Sequence, residues 1–409
     1  MFKLRALKAK HGDSLLLIAG GDDKRKTKVL IDGGPSGVYN SALREQLTNL
    51  VDIDPKSESP PLLDLMMVSH IDDDHINGIL KLTDDLLEAR QEKRAPIVHI
   101  RQTWHNSFSD FILKDERVDP KLTTSSMGEI ASNFKGLILD KAKTKHLDDS
   151  EMVLASVRQG RNLRINLKTL GIKSNSRFKD KLIVIPDNMR SRTRNLNKTL
   201  KMKIIGPHQD ELDALRKKWK KELPELLKGD KRGVAAAVSG LDTSVANLAS
   251  LVVIAEFRTQ GDEKKTVLLT GDARGDLILK SLKRSGIGKS KGSWHFDVLK
   301  LPHHGSDRNV SEKFFKTVTA DHYVICGDGG HGNPEPQMFE WLFKARQAVR
   351  KNDPYTVHMT YSFKELEKDS SYKKHKNKEK LAKIMKEYKP RAVFKTPKRG
   401  HKYLDIDLV

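Results

Sequence analysis

The sequence contains one cysteine, Cys326, in a chain of 409 residues. A single cysteine cannot form an internal disulfide, and this usage is typical of proteins in a reducing compartment. No apolar run reaches the roughly 20 residues that a membrane-spanning helix needs, and the first residues lack the apolar core of a secretion signal. We therefore expect a cytoplasmic protein in which Cys326, within the apolar run 322–326, is a buried thiol.

Acidic residues are fewer than basic residues. The chain has 54 aspartates and glutamates and 76 lysines and arginines, which gives a formal net charge of +22. Such an excess favours polyanionic partners, and the alternative is a lysine-rich solvated surface. The basic residues cluster at 158–181, 190–203 and 373–389, which favours nucleic acid. No apolar helical face accompanies the middle cluster, so we expect no membrane binding. The residues that we assign to substrate binding are Arg158, Arg161, Lys373, Lys374 and Lys376.

Short β-like runs alternate with amphipathic helical runs in two halves of the chain. The first half spans residues 1–115, a helical basic insertion spans 116–200, and the second half spans 201–409 and includes a lysine-rich C-terminal segment. The individual predictions are helices at 38–50, 78–93, 211–227 and 338–350, a helix or ordered linker at 364–389, a loop at 229–240, and strands at 95–100, 203–207 and 403–408. This alternation predicts an α/β (α+β) fold of two stacked sheets with helices on both outer faces.

Metal-ligating side chains are concentrated in Ser69-His70-Ile71-Asp72-Asp73-Asp74-His75, directly after the apolar run 62–68. The run predicts a buried strand, and the apolar spacing predicts a helix from Ile76. Imidazole and carboxylate groups together suit Zn, Mn or Fe. The four candidate ligands His70, Asp72, Asp74 and His75 therefore predict a metal site at a strand exit. The alternative is a charged, solvated loop.

This segment resembles the His-x-His-x-Asp-His signature of the metallo-β-lactamase superfamily, with Asp72 in the second His position. The Asp variant is similar to the branch that contains the hydrolase domain of bacterial competence (DNA-uptake channel) proteins and phosphorylcholine esterases. Other pieces of that branch follow in order along the chain: Gly12-Asp13-Ser14, Leu30-Ile31-Asp32-Gly33-Gly34, Asn247 to Val252, Leu268-Leu269-Thr270-Gly271-Asp272-Ala273, and Leu299 to Ser306. The resemblance implies the αββα four-layer metallo-β-lactamase sandwich, with the motif loops along one edge.

The resemblance also implies roles for residues beyond the first motif. Asp272 would bridge two metals, and the pair His303-His304 would contact the scissile phosphate or protonate the leaving group. The third ligand of the family would be His105, with His146 and His208 as competitors. In the last motif, His331-Gly332-Asn333-Pro334, Asn333 stands where the family has histidine and is the candidate ligand, with His331, two residues away, as the alternative. Asp13, Asp32, Asn247 and Ser250 are expected to support the site structurally rather than to catalyse.

The function that we expect is a metal-dependent phosphodiester hydrolase, a nuclease acting on DNA or RNA, with two divalent ions (Zn or Mn, with Mg also competent) and Asp74, His303 and His304 in catalysis. The resemblance also implies protein partners from a bacterial defence module. One alternative is a phosphodiesterase for small substrates such as a phosphocholine ester or a cyclic nucleotide. The other is a nucleic-acid-binding or assembly subunit in which the site, marked by Asn333, has degraded.

Overall fold

A computed structural model of the chain describes residues 1–20, 25–53, 59–106, 147–178, 182–214, 217 and 249–409. Within these residues the fold is mixed α/β, with parallel and antiparallel strand pairs in the same sheets. None of the described helices combines the length and the apolar character that crossing a membrane requires. The predicted loop 229–240, most of the predicted helix 211–227 and residues 116–146 of the predicted insertion lie outside the described residues.

The elements are numbered in chain order. The strands are β1 Phe2–Leu7, β2 Leu15–Ala19, β3 Thr27–Ile31, β4 Leu62–Leu63, β5 Leu65–Met67, β6 His99–Ile100, β7 Gln102–Trp104, β8 Lys173–Ser174, β9 Arg192–Asn195, β10 Leu200–Gly206, β11 Val252–Arg258, β12 Lys264–Leu269, β13 Trp294–Lys300, β14 Val318–Ile325, β15 Tyr355–Met359, β16 Ala392–Lys395 and β17 Tyr403–Asp407. The helices are α1 Arg44–Thr48, α2 Leu50–Ile53, α3 Asp73–Gln91, α4 Leu147–Leu170, α5 Gly275–Arg284, α6 Glu312–Thr317, α7 Pro336–Val349, α8 Phe363–Leu366, α9 Ser370–Lys374 and α10 Asn377–Tyr388.

Two large sheets organise the described part of the chain. The first has the order β17-β1-β2-β3-β5-β7-β8, antiparallel from β17 to β3 and parallel from β3 to β8. The second has the order β16-β15-β14-β13-β12-β11-β10-β9, parallel from β12 to β16 and antiparallel from β9 to β12. Parallel strands need crossover connections, and the helices supply several of them.

Successive side chains of a strand face opposite sides of its sheet, so each sheet can contribute to two cores. In β11, Val253 and Ala255 join a core that also contains Phe2 and Leu4 of β1, and this core therefore includes side chains from both sheets. The neighbouring Ile254 joins a second core with residues of α5, α6, α7 and α10. A third core combines the first sheet with α3 and α4.

Several predicted elements are confirmed. The strand at 203–207 is the end of β10, the amphipathic helix at 338–350 is α7, and β17 is an edge strand that pairs with β1. The lysine-rich segment 364–389 is helical, in α8, α9 and α10. Cys326 is buried directly after β14, where burial raises the pKa of its thiol.

Other predicted boundaries are wrong for identifiable reasons. The apolar run at 62–68 is broken at Asp64, whose carboxylate accepts a hydrogen bond from the backbone N–H of Lys28 at 3.0 Å. The predicted strand 95–100 is reduced to β6, which pairs with β4, and β7 follows it. Helix α3 begins at Asp73 rather than near residue 76, because aspartates are favoured in the first turn of a helix.

The described part of the predicted insertion is part of the two large sheets and of the core beneath the first of them. Helix α4 places Leu163 and Leu167 in the core beneath the first sheet. Strand β8 extends the first sheet beside β7, and β9 extends the second sheet beside β10. The segment thus contributes to both sheets, even though its sequence reads as polar and basic.

Candidate metal centre

Loops from both sheets meet at one edge of the molecule, where parallel strands end. Asp32 follows β3, Ser69 and His70 follow β5, Asp272 follows β12, and the two histidines His303 and His304 follow β13. The loops are joined directly, since the N–H of Leu251 donates to the carbonyl of Ser69 at 2.8 Å. Strand ends are rigid and their loops are accessible, so side chains there can converge on one point.

Four buried or half-buried ligating side chains form a compact group, which we call the quartet: Asp74, His75, Asp272 and His304. One ligand atom from each lies within 4.8 Å of the others, a spacing that allows them to hold a metal ion. Nε2 of His75 lies 3.3 Å from Oδ1 of Asp272 and 3.5 Å from Oδ2 of Asp74. Nε2 of His304 lies 3.1 Å from Oδ2 of Asp74.

Other acidic and hydroxyl groups hold the histidine rings from behind. Nδ1 of His75 lies 2.9 Å from Oδ2 of Asp32, and Nδ1 of His304 lies 3.2 Å from Oδ1 of Asp13. Ser69 donates from its hydroxyl to Asp32 at 2.6 Å. A carboxylate on the far nitrogen of an imidazole fixes the ring orientation and strengthens the near nitrogen as a ligand. These contacts agree with the supporting role expected for Asp13 and Asp32. The two carboxylates also lie close enough to each other and to His75 to form a second candidate metal group.

Asp272 also lies near a second set of side chains, the predicted ligands His70 and Asp72 and the predicted catalytic residue His303. Its Oδ2 atom lies 3.7 Å from Nε2 of His70 and 3.8 Å from Nε2 of His303. Oδ2 of Asp72 lies 3.6 Å from Nε2 of His70. A carboxylate has two oxygens, so Asp272 can serve both this second set and the quartet.

The turn that carries the histidine pair has an unusual backbone. His303, His304 and Gly305 all have positive φ, at 46°, 55° and 86°. Residues other than glycine adopt this left-handed backbone conformation at an energetic cost. Strained residues of this kind often occur at functional sites. At Gly305 a Cβ would lie 2.9 Å from Cβ of Pro334, so the turn packs too closely for another residue. The consequence is that adjacent histidines reach the same carboxylate, Asp272, from different sides.

Charges within the group shift the pKa values of its ionisable side chains. Burial opposes a charged ring at His75 and His304, but neighbouring carboxylates, Asp272 foremost, outweigh it and raise both pKa values well above the usual range. Burial likewise opposes charge on Asp74 and Asp272, but the histidines hold both pKa values well below the usual range. At His70, burial and the neighbouring His75 lower the pKa to about 3. The carboxylates are therefore ionised and ready to bind cations.

Lys300, which the sequence interpretation did not include, is buried at this site with 1% exposure. Its ammonium group forms an ion pair with Asp13, lies 3.8 Å from Oδ1 of Asp272 and donates to the carbonyl of Gly271 at 3.2 Å. Burial opposes its charge, but Asp13 and Asp272 outweigh burial and raise its pKa. A lysine within the apolar run Val298-Leu299-Lys300-Leu301 was the signal that could have identified it.

The donor set fits a metal ion. Nε2 of His70, Nε2 of His75 and Oδ1 of Asp272 are buried and form no hydrogen bond with the described residues. Buried polar atoms without partners are costly, and cations held by the quartet and by the second set would satisfy these atoms. Two imidazoles with two carboxylates suit Zn or Mn, and the carboxylate content also suits harder ions.

The remaining predicted ligands lie around this centre or away from it. His105 is buried and contacts Ser174 and Asn175, and it belongs to neither group of candidate ligands. His208 lines a separate cleft beside Asp210 and Arg284. Asn333 donates from its amide to the carbonyl of His303 at 3.5 Å, so it lies against the histidine turn. The residues His146 and Asn247 lie outside the described residues.

Two of the predicted basic segments approach the centre. Gln159 of α4 donates to Asp73, in the first turn of α3, at 2.8 Å, and the exposed Arg158 and Arg161 flank this contact. On the other side, Asn377 donates to the carbonyl of Gly332 at 2.9 Å, next to the exposed Lys373, Lys374 and Lys376. The ring of His331 in that turn lies 5.4 Å from the ring of His11, a further residue that the sequence interpretation missed. His11 directly precedes the Gly12-Asp13-Ser14 motif, and this position was its only signal.

In comparisons with protein-family models, curated proteins and solved structures, nothing matches this chain.

Proposed function

We propose that this chain is a metal-dependent phosphodiester hydrolase that acts on nucleic acid. The observation that carries the proposal is the sharing of Asp272 between the quartet and the set of His70, Asp72 and His303. Paired sites with a common carboxylate are typical of enzymes that hydrolyse phosphoesters with two divalent ions. The chemistry that such ions supply is activation of water and neutralisation of charge on the phosphoryl oxygens.

We further propose that the fold is the αββα four-layer sandwich of the metallo-β-lactamase superfamily. Support comes from the core shared by the two sheets and from the separate cores that join each sheet to its own helices. The order of the motifs along the chain and the meeting of their loops at one edge also support this assignment.

The histidines of the centre differ in the exposed fraction of their side chains. His70, His75 and His304 have side chains that are 3% exposed or less, whereas His303 is 33% exposed. His303 is therefore the member of this group best placed to contact a substrate phosphate. Burial, only partly offset by Asp272, lowers its pKa, so the ring is neutral at neutral pH and can accept a proton or a hydrogen bond.

Substrate recognition in this proposal depends on charge rather than on base contacts. Lysine and arginine that neutralise backbone phosphates bind nucleic acid without reading its sequence. Arg158 and Arg161 adjoin the contact of α4 with the first turn of α3, and Lys373, Lys374 and Lys376 adjoin the contact of Asn377 with Gly332. The formal net charge is +22. This arrangement favours a polymer over a small phosphodiester.

The test combines metal content with hydrolysis. Asp272→Asn should lower both the amount of bound metal and the hydrolysis of DNA, RNA and a chromogenic phosphodiester in the presence of Mn, Zn or Mg, because both ligand sets lose their common carboxylate. The matched control is Asp276→Asn, which changes an exposed aspartate of α5 that pairs with Arg274. Full metal content and full activity in Asp272→Asn, equal to the control, would overturn the proposal.

A further inference from the structure

A basic cleft lies at the end of the second sheet that is opposite to the metal centre. Its volume is about 450 Å³, and its lining includes Arg346, Arg350, Lys351, Lys389 and Arg391. Tyr355, which also lines the cleft, begins β15, whereas Asp272 and His303 follow the ends of strands parallel to β15. At about 3.3 Å per residue, strands of this length separate the two sites by roughly 20 Å.

Two guanidinium groups form the floor of the cleft and are held in fixed positions. Arg346 is 2% exposed, donates to the carbonyl of Asp353 at 2.9 Å and lies over the Tyr355 ring at 4.6 Å. Arg350 is 7% exposed and donates to Ser293, to the carbonyl of Ser290 and to the carboxylate of Asp353. Fixed, buried guanidinium groups lose little conformational freedom when they bind an anion.

The rim of the cleft carries positive charge that the rest of the described chain does not neutralise. Lys351, Lys389 and Arg391 are exposed, and none of them forms an ion pair with a described carboxylate. No carboxylate is among the residues that line the cleft. Asp353, which is nearby, already pairs with Arg350 and Lys291.

Basic residues often stabilise the C-terminal ends of helices, and both α7 and α10 end at this cleft. Each helix end is equivalent to a charge of about −0.5. Two helix ends and Asp353 therefore balance about two of the five positive side chains in the cleft. A surplus of about three positive charges exceeds what helix capping requires.

From these observations we propose that the cleft binds a small ligand with several phosphate groups, such as a polyphosphate or a nucleoside triphosphate. The volume lies within the range typical of sites for small ligands, about 300–1,000 Å³. The buried guanidinium groups are reached only by a group that enters the cleft, which favours a compact ligand over the backbone of a polymer. The site does not depend on the proposed hydrolase function, because it shares no residue with the metal centre.

The experiment is calorimetric titration of the full chain with sodium tripolyphosphate at about 0.15 M ionic strength. The test variant carries Lys351→Gln, Lys389→Gln and Arg391→Gln, and the control variant carries Lys283→Gln, Lys313→Gln and Lys364→Gln, which are exposed lysines elsewhere. We expect one equivalent of ligand to bind to the wild type and the control alike, and about tenfold or more weaker binding to the test variant.

Parallel titrations with ATP, inorganic phosphate and a single-stranded oligonucleotide identify the ligand. Binding of tripolyphosphate or ATP that the test variant weakens and the control does not supports the proposal. Equal weakening in both variants would show diffuse charge rather than a site and would overturn it. Oligonucleotide binding that depends on the cleft, without binding of tripolyphosphate or ATP, would assign the cleft to a polymer and would also overturn it.

Discussion

At the scale of single residues, the metal centre is a set of coupled charges. Asp13 contacts both Lys300 and His304, while Asp32 contacts His75 and Ser69. Candidate ligands could be proposed from the sequence because His and Asp at a strand exit are residue types that bind metal ions. Lys300 was missed although its place within an apolar run was a signal, because its role depends on burial beside Asp13, which is distant in sequence.

Metal binding should release protons. The raised pKa values of His75 and His304 mean that, in the protein without an ion, both rings are protonated near neutral pH. A histidine must be neutral to bind a metal, so an ion held by the quartet should displace up to about two protons, one from each of these rings. The apparent metal affinity should therefore fall as the pH falls.

Titration of Mn or Zn in two buffers with different heats of protonation measures this release. The observed heat should differ between the buffers, and His304→Gln should reduce the difference. The matched control, His401→Gln, changes an exposed histidine and should leave the difference unchanged. Identical heats in both buffers for the wild type would show that the rings are neutral before the ion binds.

At the scale of elements, the sequence predicted strands well and their connections less well. The strands that end at Leu269 and Lys300 could be identified because each finishes in a short buried apolar stretch, Val267 to Leu269 in β12 and Val298-Leu299 in β13. The start of α3 was missed because Asp72, Asp73 and Asp74 read as a polar loop, although carboxylates also favour a helix start. The packing of α3 against the loop after β3 depends on contacts between residues that are distant in sequence, so no local sequence pattern predicts it.

Gly78 permits the close approach of α3 to the loop after β3. A Cβ at position 78 would lie 1.9 Å from the carbonyl oxygen of Gly33, and the N–H of Gly33 donates to the carbonyl of His75 at 2.8 Å. Alanine would favour the helix by about 1 kcal/mol, but the clash is with backbone that cannot move freely. Gly78→Ala should therefore lower the free energy of unfolding by about 1–3 kcal/mol.

The same substitution should weaken metal binding, because the displaced loop carries Asp32, which orients His75. Urea unfolding and metal titration of the purified variant measure both effects. Gly288→Ala is the control, since a Cβ at that position would have no neighbour within 4 Å. A Gly78→Ala protein as stable as the control would show that the helix and the loop can separate at no cost.

At the scale of the whole molecule, the composition gives the surplus of positive charge but does not show which surfaces carry it. Lys373, Lys374 and Lys376 adjoin the turn of His331, and Arg158 and Arg161 adjoin the first turn of α3, so both segments flank the metal centre. The basic cleft at the opposite end of the sheet contains Arg346 and Arg350, which come from outside the clusters visible in the sequence. Separate positive surfaces thus contribute to one net charge.

If the flanking segments hold a nucleic-acid backbone, affinity for DNA or RNA should fall steeply with salt, with a log–log slope of about −0.9 per neutralised phosphate for duplex and about −0.7 for single strands. Replacing Lys373, Lys374 and Lys376 with Ser should flatten that slope and leave hydrolysis of a small chromogenic phosphodiester unchanged, because these exposed side chains lie outside the ligand sets. The cleft variant Lys351→Gln, Lys389→Gln, Arg391→Gln removes the same number of charges from the opposite end and should keep the wild-type slope. Weak polymer binding at low salt, or polymer cleavage no more sensitive to salt than cleavage of the small ester, would favour the small-substrate phosphodiesterase instead.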